Sequence, residues 1–443
     1  MSDRVLNFTG LKALRKKFST AHFEKSSQML IISSPSPHAV TSSAFLSRAA
    51  LKSGVLFHVV FSEPLVYLAD IIPLIESHPN STILLVGIDL IGNLESRYDS
   101  LVFIGGSHYE QLDVLLQQKT SNSVSLDAYA FVAENLKSDH EIFRLATLGA
   151  LMQDELSKTP KRTSTEIVKK AITEKVVKAR PGIKIPGTNH IPMNDALEYC
   201  IHPYLEGLSD DGEACQKLFD DADIPLTKWR TPINKLSNEE AKRFTSQMIA
   251  LFPGIIKDVL GADYEFLTEN PNGSLRLFSS VVSTARIVWS SREMGALLGV
   301  LMGDRAQMLV KLELLYKNHC KEVTQSFRII TILMNDTETT IKSNKHTIVI
   351  PVSGVPIEHF SDVGRILLTT NLDKEKFLIL QSDSSLEIIW LFEDVDLRLI
   401  LSSIKQNELT VLSTSEKSVR VIESSDEILA KIEFILDEIG RSR

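Results

Sequence analysis

Cysteine is scarce in this chain. Cys200, Cys215 and Cys320 are its only three in 443 residues, and their wide spacing offers neither a CxxC metal pair nor a disulfide framework. A reducing interior is therefore the expected compartment. Long apolar runs are missing too: none reaches the length of a membrane span, and the N-terminus lacks the apolar core of a signal peptide. The expectation is a soluble, cytoplasmic protein with no membrane partner. Positive charge is in deficit, with a formal net charge of −8, which argues against indiscriminate duplex binding through many phosphate contacts. A local basic groove stays open. There is no internal repeat, no low-complexity segment and no GxSxG elbow around the serines at 33–36. The acidic stretch DDGEACQKLFDDAD (210–223) lacks the ligand periodicity of an EF-hand and reads as a helix start.

What is present is ordinary globular material, 43% hydrophobic and 23% charged, long enough for two or three domains. The runs MLIIS (29–33), VLFHVVF (55–61), TILLVGID (82–89) and LVFIG (101–105) are short, apolar and rich in β-branched residues. Helical stretches separate several of them, the alternation of a parallel sheet covered on both faces. Helices are expected over 127–138 and 140–156. From Lys158 to Arg180 the chain turns basic, with Ile167, Ile172 and Val176 at near-helical spacing, which predicts an amphipathic linker helix. The Pro- and Gly-rich PGIKIPGTNHIP (181–192) follows as a connector. Residues from about Asn194 to Gln325 read as mostly helical; HTIVIPV, KFLILQ and LEIIWLF then supply strands, and DEILAKIEFILDEIG a terminal helix. The expected organisation is an α/β domain over 1–160, a basic linker helix and connector over 161–196, a helical middle region over 197–340, and a smaller C-terminal α/β domain over 341–443.

IISSPSPHAVTSSAFLSRAALKSG (31–54) is a strand, a polar turn and a helix closed by Gly54. This frame resembles the first motif of the DHH phosphoesterase superfamily, the manganese-dependent group that includes RecJ nucleases. In that family three acidic or His positions and a glycine occupy the turn. Here Ser34, Ser36, His38 and Ala39 stand there. The second motif, a strand ending in Asp, is matched by Asp89. The third, Asp-His-His, falls on Gly105, Gly106 and Ser107, or with a one-residue slip on Gly106, Ser107 and His108. A fourth Asp is missing between Val114 and Leu126. The resemblance continues in LATLGALMQD (145–154), HPYLEGLSDDGEACQKLFDDADIP (202–225) and ARIVWSSREMGALLGVLMGD (285–304), and it implies a DHHA1-like C-terminal domain. The small-residue loop with which many relatives grip substrate phosphate is not visible.

Two hard divalent ions need several anionic oxygen ligands and fixed imidazoles to displace their hydration shells. Asp89, with His38 or His108, does not meet that need, so no metal or other cofactor is expected. The chain thus resembles the inactive archaeal branch of RecJ-related proteins, counterparts of the RecJ-related subunit of the CMG replicative helicase. That resemblance implies a non-catalytic replication subunit at the fork, binding GINS and docking it with the MCM ring. Two alternatives stand beside it: a weak RecJ-type exonuclease, and a single-strand-DNA-binding repair protein. Single-stranded DNA contacts, if made, are expected at Lys169, Lys170, Lys175, Lys178 and Arg180, and at Arg286 and Arg292, which flank Trp289. The bland readings of these positions are a solvated helix and a packed helix with exposed arginines. For Asp89 the bland reading is a cap, and for His38 and His108 a hydrogen-bonded turn histidine.

Overall fold

The computed structural model describes residues 9–18, 28–94, 101–111, 123–157, 162–336 and 341–442. Its N-terminal part runs α1 (Thr9–Phe18), β1 (Gln28–Ser33), α2 (Pro37–Ser53), β2 (Leu56–Phe61), β3 (Leu65–Tyr67), α3 (Leu68–Glu76), β4 (Ser81–Val86), β5 (Asp89–Ile91), β6 (Val102–Ile104) and β7 (His108–Tyr109). Helices α4 (Val124–Asn135), α5 (His140–Ser157) and α6 (Arg162–Thr173) follow. The middle holds β8 (Val177–Ile183), α7 (Met193–Glu198), α8 (Gly212–Asp221), α9 (Asn238–Leu251), α10 (Ile256–Val259), β9 (Leu260–Phe266), α11 (Phe278–Ser290), α12 (Met294–Met302) and α13 (Gln307–Asn335). The C-terminal part adds β10 (Lys342–Ser343), β11 (Thr347–Pro351), α14 (Phe360–Thr370), β12 (Phe377–Gln381), β13 (Ser385–Ile389), α15 (Leu397–Gln406), β14 (Val411–Ser415), β15 (Ser418–Ile422) and α16 (Asp426–Ser442).

These elements gather into two compact units, and the chain enters each of them three times. The first takes in the described residues of Met1–Glu174, Arg292–Val310 and Glu393–Val421. The second takes in those of Lys175–Ser291, Lys311–Phe392 and Ile422–Arg443.

In the first unit β2-β1-β4-β6 form a parallel sheet. Every residue of β1 beyond Gln28 is buried, as a central parallel strand covered on both faces requires. A second parallel sheet, β3-β5-β7, lies in the same unit. Between β1 and β2 runs α2, which has a proline in its first turn and ends at Gly54, whose φ of 76° needs the left-handed region that glycine enters freely. Most of α2 is buried, because its Ala, Ser and Thr side chains are small enough for α4, α5 and α12 to pack against it. Gly149 of α5 lets that helix approach α4 closely: a Cβ there would lie 2.1 Å from Ser125 Oγ. Ser42, Ser43 and Ser47 therefore belong to a tightly packed helix.

In the second unit β8 and β9 pair antiparallel. Met193, Leu197, Phe219, Phe244 and Met248 form the core beneath α7, α8 and α9. A second core joins Val323 and Ile330 of α13 to Phe360 and Leu367 of α14 and to Ile350 and Leu380 of the strands β11 and β12. Here β10, β11, β12 and β13 are consecutive neighbours, with β11 and β12 parallel.

Three sequence expectations need correction. The run TILLVGID is not one strand: β4 ends at Val86, Gly87 turns the chain at φ 64°, and Asp89 opens β5 in the other sheet. The basic helix does not extend to Arg180 either. It ends at Thr173, Lys175 is left-handed (φ 57°), and Lys178 and Arg180 lie on β8 opposite Glu265 and Asp263. Ile167 and Val176 are buried as expected, but Ile172 is exposed. Residues 158–161 lie outside the described residues. The middle region, read as mostly helical, also contains β9.

Candidate functional site

The turn after β1 is closed by its own hydroxyls. Ser34 N–H donates to Val86 O at 2.9 Å, Ser34 Oγ lies 2.9 Å from Ser36 Oγ, and Ser36 Oγ lies 3.3 Å from His38 Nε2. Ser34 and Ser36 are buried. Gly87 covers them closely: a Cβ there would come within 2.8 Å of Ser34 Oγ and 3.2 Å of Ala39 Cβ. A short polar chain thus satisfies itself where carboxylates would need a cation to offset their burial.

Asp89 is equally committed. Its Oδ1 accepts from Ser107 N–H at 2.9 Å, and its Oδ2 accepts from Arg398 Nη1 at 3.2 Å. Burial raises its pKa, and the Arg398 guanidinium opposes that rise. Arg398 sits in the first turn of α15 and also binds Asp396, the N-cap of that helix, at 2.8 Å. One guanidinium thereby serves two carboxylates, which holds its own pKa above the usual arginine value despite burial.

The third motif has no room for the side chains it would need. Gly105 has φ 71°, and a Cβ on it would lie 2.5 Å from Val124 Cγ2. On Gly106 a Cβ would lie 1.9 Å from the Ile88 carbonyl oxygen. Ser107 contributes its backbone N–H to Asp89, and His108 Nε2 lies 2.5 Å from Gly92 O. The structure also brings an unexpected acid to this place. Asp127, one residue past Leu126, lies fully buried in the first turn of α4. Its Oδ2 accepts from Gly105 N–H at 3.2 Å and from Lys17 Nζ at 2.8 Å. Between Val114 and Leu126, residues 114–122 lie outside the described residues. Among the described residues no group of three or more His, Cys, Asp and Glu side chains stands together as a metal cage.

The cations singled out for DNA are distributed over several elements. Lys169 and Lys170 are on α6, where Lys170 pairs with Glu174 at 2.7 Å; Lys175, Lys178 and Arg180 belong to the second unit. Arg286 is half-buried on α11, Trp289 is buried and offers no free face to a base, and Arg292 donates to the Leu412 carbonyl oxygen.

A polar network in the second unit has no local sequence signature. The fully buried Asp362 accepts from His319 Nε2 at 2.8 Å and from Arg365 Nη2 at 2.9 Å. Arg365 Nη2 also donates to His202 Nε2 at 2.7 Å, and His202 Nδ1 faces Ser283 Oγ at 3.0 Å. Although burial alone would raise it, the Asp362 pKa lies well below the ordinary value because the His319 hydrogen bond and the Arg365 charge favour the carboxylate. Burial drives His202 down to about 4, and its acceptor role toward Arg365 is that of a neutral ring.

No protein-family profile matches this chain, and no curated protein sequence does. Solved structures do. CDC45 from Entamoeba histolytica superposes with a TM-score of 0.66 at 13% identity, covering 98% of this chain and 99% of that one. The chain has the fold of CDC45. RecJ from Thermus thermophilus in complex with Mn2+ matches at 12% identity over 100% of this chain and 56% of that chain, TM-score 0.48. A further exonuclease RecJ, bound to manganese, matches at 12% identity over 98% and 95%, TM-score 0.45. The α/β fold expected from the sequence is borne out by the parallel sheets and by the likeness to CDC45. Among the described residues no helix is long and apolar enough to cross a membrane.

Proposed function

We propose that this chain is a non-catalytic DNA-replication subunit that binds GINS and helps assemble or activate the MCM replicative helicase in the cytoplasm, at the fork. The observation that carries the reading is a CDC45 fold over nearly the full length in which the surviving motif acid, Asp89, is tied to Arg398. A carboxylate already neutralised by a guanidinium is a poor ligand for a hard cation, because the ion must break the pair as well as shed its water. The closed Ser34–Ser36–His38 chain supports the same conclusion. A fold kept while its chemistry is lost is kept for what it holds in place.

The test is co-expression of the full chain with the cognate GINS complex, followed by gel filtration at high salt. A constitutive subunit buries an interface too apolar to be screened away, so co-elution is expected. Elution of the chain alone overturns the reading. The full chain is the proper reagent because the first unit is completed by Arg292–Val310 and Glu393–Val421; a fragment ending at residue 160 would lack α12 and α15.

A further inference from the structure

We propose that a groove along α13 in the second unit is a binding site for a basic side chain, an arginine, presented by a partner protein. The inference goes beyond the replication reading and does not depend on it. The groove has a volume of about 760 Å³, within the range of preformed pockets that hold a few side chains. Its floor is a pair of buried imidazoles, His319 and His359, packed edge to face with ring centroids 5.3 Å apart. Both rings are pinned. His319 Nε2 is held by Asp362 at 2.8 Å, and its Nδ1 faces Ser291 Oγ at 3.4 Å. His359 Nδ1 is held by Ser326 Oγ at 2.9 Å, and its Nε2 lies 3.4 Å from Glu322 Oε2.

The charges on the walls choose the occupant. Glu322 and Glu358 line the groove against one cation, Lys311, and both glutamates are exposed to an incoming group. Burial lowers the pKa of His359, so that ring does not add to the positive side of this balance. This excess of negative charge disfavours a phosphate backbone as the ligand. A guanidinium suits it, because its planar donors match carboxylates bidentately. Leu314 and Ile329, 57% and 40% exposed, lie along the same groove and offer apolar contact to residues flanking that arginine. These features fit a protein segment better than a free small cation.

The experiment is a titration of the full chain, 13C-labelled at histidine, with Nα-acetyl-arginine N-methylamide, following the ring signals of His319 and His359 by NMR. The glutamate analogue and oligo-dT serve as comparison probes. Saturable shifts with the arginine probe alone are expected. The Glu322→Gln, Glu358→Gln double variant should weaken binding about tenfold, the loss of two charge-assisted contacts, and Lys311→Ala should strengthen it. Both variants alter exposed positions, so folding is retained. Equal responses to the arginine and glutamate probes, no response to either, or an unchanged titration in the double variant overturns the proposal.

Discussion

Asp89 Oδ2 lies 3.2 Å from Arg398 Nη1, a pairing of residues 309 positions apart. The arginine neutralises this buried carboxylate with a group that cannot exchange or polarise water. Removing it leaves a buried carboxylate facing only the Ser107 N–H. Arg398→Ala is therefore expected to destabilise the chain by about 2–3 kcal/mol in urea unfolding. Asp89→Asn in the same background should restore part of that loss, because the orphaned charge is gone. If the two substitutions add with no coupling, the pair contributes nothing of its own.

Restoring acids to the first motif should fail. Ser34→Asp, Ser36→Asp and His38→Asp together bury new carboxylates beneath Gly87, where Ser34 Oγ already leaves no slack. The third motif still lacks side chains, and catalytic groups that act as one unit do not return piecemeal. End-labelled single-stranded DNA with excess manganese should stay intact with both the parent chain and the triple variant. Cleavage by the parent that disappears in Asp89→Ala would restore the exonuclease reading.

Two glycine substitutions separate backbone strain from collision. Gly54→Ala meets nothing within 4 Å and pays only for its φ of 76°, which should cost about 1 kcal/mol. Gly106→Ala drives a methyl group to 1.9 Å from the Ile88 carbonyl oxygen, and a loss above about 4 kcal/mol is expected. Comparable midpoints for the two variants in chemical unfolding would mean that the turn at Gly106 relaxes freely, and that the third motif could still accept ligands.

Single-strand binding through Lys169, Lys170, Lys175, Lys178 and Arg180 should be weak and salt-dependent. Lys178 and Arg180 stand opposite Glu265 and Asp263 in the β8–β9 register, which reduces the local positive field. Changing each cation to Glu should flatten the slope of log K against log salt by about 0.7 per lost phosphate contact. An unchanged slope places the DNA path on other residues.

Local patterns carried most of the fold. Apolar β-branched runs became β1, β2, β4 and β6, Gly54 capped α2, and Ser237 capped α9 through a reciprocal bond with Glu240. Misreadings arose where a local pattern is ambiguous. A glycine inside an apolar run looks like a strand interior until its φ is known, and Gly87 there ends β4. A basic run looks helical until its register partner is seen, and β9 pulls Lys178 and Arg180 into a ribbon. At the motif positions the residue types were legible but their partners were not, because Arg398 reaches Asp89 only through the tertiary fold, and His202 and Asp362 meet across 160 residues of chain.

That histidine network gives the chain an acid limit of its own. His202 is depressed from an ordinary 6.5 to about 4 by burial, with Arg365 and Arg286 adding to the effect and Asp362 opposing it; His190 is depressed to about 4 by burial alone. A depressed folded pKa means that the unfolded chain binds more protons between those limits. The stabilisation is complete above pH 6.5 and drains away as pH falls toward 4. Asp362, held well below 3.8, extends the loss to still lower pH as its carboxylate protonates. Stability measured by urea unfolding should therefore fall between pH 6.5 and 4, and His202→Gln should reduce that slope by about 1.4 kcal/mol per pH unit, the contribution of one proton. An unaltered slope in the variant would mean that His202 is already protonated in the fold and forms an ion pair with Asp362, contrary to its acceptor bond from Arg365.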